Sequence, residues 1–440
     1  MRTGYCLNNE GTSEQGVSTP CFCGVSMFSF IKKDSLYKNS ALLFIAAMTG
    51  NFFQYLFQFF MGRNLSIADF GAMNALFSFT VITSIGTGTV GLVITKYIAG
   101  FKGKNEFGKI KGIILKSSMY IIPAGLIISI LVFIARFRIM DYYKLEHASS
   151  VIIVSFSLFI SCILSVFLAA ATGMQKFNYI ALGQILGPLS RIGSGILFVW
   201  LGFGLNGAIF ASVVASITGI LIFSKVIKDI IKVKIESVKK HKKEMLIFCV
   251  PVAISISFYA VLTMIDMTLV KHYFSANIAG QYAAISVLGK SILYLPGAIV
   301  VVMFPMVAEA HTINKDTLSI LKKALLFALL VCSIGIFIFF LFPDFLLRLI
   351  SRGRYTGNVN LLWIFGLAML PYALTGIINS FHIARHKISF IVALVIMAII
   401  QVGLISMFHK SLEQVIYILL ICGILLVLIN FGLIFYGRKS

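Results

Sequence analysis

Residues 322–342 read Lys322-Lys-Ala-Leu-Leu-Phe-Ala-Leu-Leu-Val-Cys-Ser-Ile-Gly-Ile-Phe-Ile-Phe-Phe-Leu-Phe342. Beyond the two lysines there is no charge, amide or proline. As a helix rising 1.5 Å per residue, such a run matches the ~30 Å hydrocarbon core of a bilayer. Working outward, stretches of the same character lie at 40–61, 71–98, 113–135, 150–172, 178–200 and 205–227. They continue at 246–270, 280–308, 359–381, 387–408 and 413–436. The whole chain of 440 residues is 59% hydrophobic and only 12% charged, with mean hydropathy +0.99. A soluble domain carries about 25% charged residues, so this chain could not cover its surface in water. The expected fold is all-α and integral to the membrane, with about twelve transmembrane helices.

Six spans fall on each side of one long charged stretch, Lys228 to Glu244, which holds Lys232, Lys234, Lys239, Lys240, Lys242 and Lys243. The expected organisation is a polar, disordered tail at 1–39, a six-helix bundle at 40–227, a basic linker at 228–245, a second six-helix bundle at 246–436 and a short tail at 437–440. The net charge of +22 would suggest nucleic acid in a soluble protein. Here its distribution gives a better account. With the linker in the cytoplasm, cytoplasmic segments hold 26 Lys and Arg, the opposite loops 9 and the spans 2. Basic residues collect in cytoplasmic loops, so both termini are expected inside the cell membrane, and no nucleic-acid partner is expected. Loops on both sides are too short for a catalytic domain.

The halves repeat faintly. Asp69-Phe-Gly71-Ala-Met-Asn-Ala75 opens the second span and Ile278-Ala-Gly280-Gln-Tyr-Ala-Ala284 the eighth, an offset of 209 that also pairs Gly88 with Gly297 and Lys176 with Arg385. Six spans per half is an even number, so the repeats should be parallel, related by an axis along the membrane normal. Gly86 and Gly88 in the second span, Pro188 in the fifth, and Pro296 and Gly297 in the eighth are expected helix breaks. Glycine costs a helix interior about 1 kcal/mol and proline about 3. Paired interruptions point to a transport pathway; close helix packing at glycine is the alternative.

Three ionisable groups lie well inside spans: Arg191, Asp266 and Lys290. Each costs roughly 2.5–3.5 kcal/mol at mid-depth, so such groups usually face an interior and work. Two cations suggest an anionic substrate, held by the planar fork of Arg191 and the point charge of Lys290. Asp266 would pair with Lys290 or serve a coupling proton or sodium ion. The structural alternatives are an Asp266–Lys290 pair without substrate, and an arginine bonded to backbone carbonyls. Asn51, Gln54 and Gln58 share one helix face and would line a cavity or bond neighbouring helices. Pro188 frees the carbonyl of Gln184, which would place Gln184 on a hydrated wall. No catalytic residue is expected. The seven histidines (147, 241, 272, 311, 382, 386 and 409) form no metal-ligand pair of the His-Glu-x-x-His kind, so neither metal nor cofactor is expected. Cys162, Cys249, Cys332 and Cys422 sit singly in apolar spans as small hydrophobes, and Cys6, Cys21 and Cys23 in the tail suggest no disulfide framework.

Several segments in order then carry a resemblance. They are Gly62-Arg63-Asn-Leu-Ser-Ile-Ala-Asp69-Phe-Gly71 through Ser78, Lys96-Tyr97-Ile-Ala99, Arg191 with Gly202-Phe-Gly204-Leu-Asn-Gly207-Ala208, Asp266 with Gly280-Gln-Tyr282-Ala-Ala284, and Phe304-Pro305. Together, over residues 40 to 436, they resemble the lipid-linked oligosaccharide flippases of the multidrug/oligosaccharidyl-lipid/polysaccharide exporter superfamily. The resemblance implies two six-helix bundles around a cavity with alternating access. It implies a polyprenyl-diphosphate-linked oligosaccharide as cargo, an ion gradient or membrane potential as drive, and glycan-assembly proteins as partners. The superfamily's lipid II flippases carry arginines on the first span; this chain has Asn51 and Gln54 there, with Arg63 only at the outer end. A cation-coupled multidrug antiporter of the same fold is the alternative, disfavoured by a midplane that is net positive. A membrane-bound polymerase or glycosyltransferase is more distant, since acidic clusters and large loops are lacking.

Overall fold

The computed structural model describes residues 35–436 except 232, 237–241, 298, 301–302, 304–305, 308–309, 311–315, 352, 355–358 and 386–387. The chain divides into two compact units, Met1–Ala41 and Leu42–Ser440. Of the first, only the opening turns of α1 are among the described residues. The rest of the tail expected at 1–39 lies outside them, with Cys6, Cys21 and Cys23, and so do the tail at 437–440 and Phe304-Pro305.

The N-terminal half contains α1 (Ser35–Asn64), α2 (Ile67–Gly103), α3 (Phe107–Ile134), α4 (Arg136–Tyr142), α5 (Ser149–Gly173), α6 (Phe177–Trp200) and α7 (Gly204–Ile231). The C-terminal half contains α8 (Lys242–Tyr273), α9 (Ala276–Tyr294), α10 (Thr317–Leu341), α11 (Pro343–Ser351), α12 (Leu361–Ala384), α13 (Phe390–Met407) and α14 (Leu412–Tyr436). Lipid offers backbone groups no partner, so long apolar runs must bond within themselves as helices. Eleven helices among the described residues are long and apolar enough to cross a membrane. The eighth expected span is the exception: α9 holds nineteen residues, including Gln281, Tyr282 and Lys290, which lower its hydropathy. Phe327, Leu330, Ile334 and Phe337 stand exposed on α10, as a lipid-facing surface requires.

The offset of 209 is visible in the backbone. Ser66 caps α2 and Ser275 caps α9, with nearly equal dihedrals (φ −62°, ψ 159° and φ −66°, ψ 156°), each accepting from the N–H three residues on. Gly71 meets Gly280 itself: a Cβ on Gly71 would lie 2.8 Å from the Gly280 nitrogen, and one on Gly280 would strike the Ile67 carbonyl. Equivalent residues touching each other mark a two-fold relation, and glycine lets the two helices cross this closely. The short helices α4 and α11, read as loop from the sequence, occupy matching places in the two halves.

Two of the expected breaks are corrected. α2 runs helical through Gly86 and Gly88, and α6 through Pro188. A glycine's ~1 kcal/mol is smaller than the several kcal/mol of an unsatisfied backbone group in lipid, so the helix continues. Only the eighth-span site interrupts its helix: α9 ends at Tyr294, Leu295-Pro296 turn, and helical geometry resumes at Gly297.

The two ends of the molecule are built differently. At one end Lys102 Nζ bonds Gln175 at 2.9 Å, and Lys111 Nζ bonds the Val233 carbonyl at 2.9 Å, docking the linker on α3. These contacts stay within the N-terminal half; we call this the basic end. Among the described residues, hydrogen bonds between halves cluster at the opposite, latched end; apart from these, Tyr55 of α1 meets Ser291 of α9 beside the central cavity. Lys144 Nζ donates to the Phe274 carbonyl, and Arg354 donates to the carbonyls of Gly62 (3.1 Å) and Arg63 (2.7 Å). His272 also stacks on Tyr142 with ring centroids 3.9 Å apart. The buried apolar side chains follow suit. One cluster draws on both halves, with Phe57, Phe70, Tyr282 and Phe365. A second uses N-terminal residues such as Ile98, Ile113 and Phe223, and a third C-terminal ones such as Met303, Leu321 and Phe381.

Candidate substrate cavity

A cavity of about 450 Å³ lies between the halves. Asn51, Gln54 and Gln58 reach it from α1, Arg191 from α6 and Lys290 from α9. Five pairs separated by 209 line it together: Tyr55 with Met264, Gln58 with Met267, Phe77 with Ser286, Ser78 with Val287, and Val81 with Lys290. The cavity therefore sits on the repeat axis. Its two walls have diverged, however. The N-terminal wall is rich in amides and hydroxyls, whereas the C-terminal wall presents Met264, Met267 and Val287 beside Ser286, Lys290 and Tyr294.

Arg191 donates from Nη1 to Gln54 Oε1 at 2.9 Å. Its guanidinium carbon lies 4.4 Å from the ring centres of both Phe57 and Phe77. Those rings are 6.3 Å apart, so they flank one side of the guanidinium instead of sandwiching it. The rings stabilise the cation through their negative faces and leave its other edge toward the cavity. Nε is enclosed without a partner. Among the described residues the ion pairs are Lys109–Glu106 and Lys290–Asp266, so no carboxylate neutralises Arg191.

Lys290 differs. Its Nζ donates to Asp266 Oδ1 at 2.9 Å, and Tyr282 donates its hydroxyl to Oδ2 at 2.9 Å. Asp266 is 1% exposed and Lys290 8%. Both carboxylate oxygens are satisfied, which a buried ion pair needs to offset its desolvation. The lysine borders the cavity with its charge already balanced.

Gln58 Nε2 donates to Asn74 Oδ1 at 3.2 Å, leaving Gln58 Oε1 without a partner. Ser157 and Ser161 on α5, and Ser212 and Ser216 on α7, line the cavity at four-residue spacing. Ser161 and Ser216 donate back to the carbonyls of Ser157 and Ser212, so their oxygens remain free to accept, and Ser212 Oγ has no partner. These serines, with Phe57, Phe77 and Asn74, were not singled out by the sequence, and Tyr282 entered only through the resemblance; the serine spacing alone signalled a shared face. Gln184 is exposed and does not line this cavity. The carbonyl that Pro188 frees is covered by Gly50 of α1, where a Cβ would collide with it.

Eleven candidate spans, an internal two-fold and a polar central cavity define a multi-pass membrane protein with a transporter fold. The fold is shared with a multidrug resistance MATE family transporter of the MOP superfamily in an inward-facing conformation. That likeness has TM-score 0.72 and 14% identity, over 91% of this chain and 99% of that one. It is shared also with the lipid II flippase MurJ, inward closed (TM-score 0.65, 19% identity, 91% and 87% covered). A third is a MOP superfamily transporter from Pyrococcus furiosus Vc1 (TM-score 0.62, 16% identity, 91% and 95% covered). Among curated proteins none matches the sequence. The chain belongs to the polysaccharide biosynthesis protein family, whose profile matches residues 36–311.

Proposed function

We propose that this protein is a flippase that carries a polyprenyl-diphosphate-linked oligosaccharide across the cytoplasmic membrane by alternating access. The observation that carries the reading is the cavity on the repeat axis, with Arg191 as a cation lacking any carboxylate partner among the described residues. An arginine fork can take two phosphate oxygens at once, and hydroxyl and amide side chains beside it suit sugar. The lipid tail stays in the bilayer. With the basic end and both termini in the cytoplasm, as the charge bias directs, the latched end closes the outer side and the conformation is inward-facing. An ion gradient or the membrane potential supplies the drive. Cation-coupled drug efflux is a poorer fit, because Asp266 is buried and both its oxygens are occupied.

The test is complementation of a strain lacking its polysaccharide flippase, at matched membrane levels, read as surface polysaccharide. Wild type should restore it and Arg191→Ala should not. Equal rescue by both would remove Arg191 from the pathway. Drug resistance without polysaccharide rescue would favour the antiporter.

A further inference from the structure

The cavity's charge balance says more about the cargo than that it is anionic. Lys290 is cancelled by Asp266, so one net positive charge faces the cavity among its described lining residues, and it belongs to Arg191. That charge is held on one side by Phe57 and Phe77 and by Gln54, which limits it to one anion approaching from the open edge. The remaining polar lining is uncharged, amides and hydroxyls such as those of Asn51, Gln54, Gln58, Asn74, Ser212 and Ser216. Ser161 and Ser216 offer oxygens that accept, and the unpartnered Ser212 hydroxyl both donates and accepts, as sugar hydroxyls do. A carboxylate placed among them would lose water and gain no cation.

Building on the flippase reading, we propose that the cavity selects a neutral oligosaccharide: the cargo's diphosphate is its only anion, read by Arg191, and glycans bearing uronic acids are discriminated against. The selectivity lies in the charge count and not in cavity size. It is therefore open to revision by a single added cation. Val81 is the place to add it: it lines the cavity, is 42% exposed, and is the repeat mate of Lys290.

The experiment measures binding to the purified full-length protein in nanodiscs of three probes. They are undecaprenyl diphosphate alone, the same lipid carrying an N-acetylglucosamine disaccharide, and the same lipid carrying a disaccharide with one glucuronic acid. Wild type should bind the neutral glycolipid at least about tenfold more tightly than the acidic one. Val81→Lys should close most of that gap by improving the acidic lipid. Equal or tighter binding of the acidic lipid by wild type overturns the proposal while leaving the flippase reading intact. A gap that Val81→Lys leaves unchanged overturns charge as its cause. Failure of all three lipids to bind overturns the flippase reading and this proposal with it.

Discussion

Arg191 and Lys290 border one cavity from opposite halves of a duplicated fold, yet their surroundings are opposite in kind. Arg191 leans on two aromatic rings and an amide, with its Nε unmet. Lys290 is locked to a carboxylate that a tyrosine hydroxyl also holds. At the position equivalent to Asp266, the N-terminal half has Phe57, the ring beside Arg191. Duplication supplied two similar walls. Divergence then gave the C-terminal wall a buried ion pair that knits helices α8 and α9, and the N-terminal wall an open cation. A charge that is balanced holds structure; a charge left unbalanced is available to a ligand.

The largest effect should come from breaking the balanced side. Lys290→Ala leaves Asp266 buried with only Tyr282, and orphaned buried charges cost about 3–5 kcal/mol. Its thermal unfolding midpoint in detergent should fall steeply. Lys290→Met combined with Asp266→Asn should recover most of the loss, since the introduced amide carbonyl still accepts from Tyr282. A double variant as unstable as the single one would contradict the pair's role as described. Next, Gly280→Ala should lower stability by about 1–3 kcal/mol, the usual cost of overpacking, because its Cβ meets the Ile67 carbonyl where both halves join. Gly432→Ala, with nothing nearby, should be neutral or slightly stabilising on the same readout. Arg191→Ala should change stability by about 1 kcal/mol or less, its loss confined to cation–π contact and one hydrogen bond, while abolishing polysaccharide rescue. The smallest effect belongs to Ser212→Ala, whose hydroxyl has no partner to lose. It should leave stability unchanged and weaken glycolipid binding by no more than a few fold.

Much of this division was legible in the chain. Isolated charges and amides in apolar spans stand out because lipid tolerates them poorly, and Asn51, Gln54, Gln58, Arg191 and Lys290 all reach the cavity. The 209 offset, read from a few glycines and loops, recurs in the caps at Ser66 and Ser275 and in the five lining pairs. The rest was hidden for physical reasons. Phe57 and Phe77 look like ordinary core residues, and only the fold reveals that they flank a guanidinium. Tyr282 sits in a small-residue run that reads as packing. The seven residues of α4 are too few to show a helical period, and α11, although it buries Leu347 and Ile350 on one face, follows a span directly and reads as the loop after it. Gly86 and Gly88 misled, because composition alone does not say when a helix will bear its glycines to keep its backbone bonded.

The division of labour between the two cations is tested most directly by flipping of undecaprenyl-diphosphate disaccharide in proteoliposomes. Three proteins at equal density suffice: wild type, Arg191→Ala, and the double variant Lys290→Met with Asp266→Asn. The double variant should flip at a rate close to wild type while Arg191→Ala falls to the rate of empty vesicles. An Arg191→Ala protein that flips normally, beside a well-folded double variant that does not, would reverse the assignment and place the working cation on the C-terminal wall.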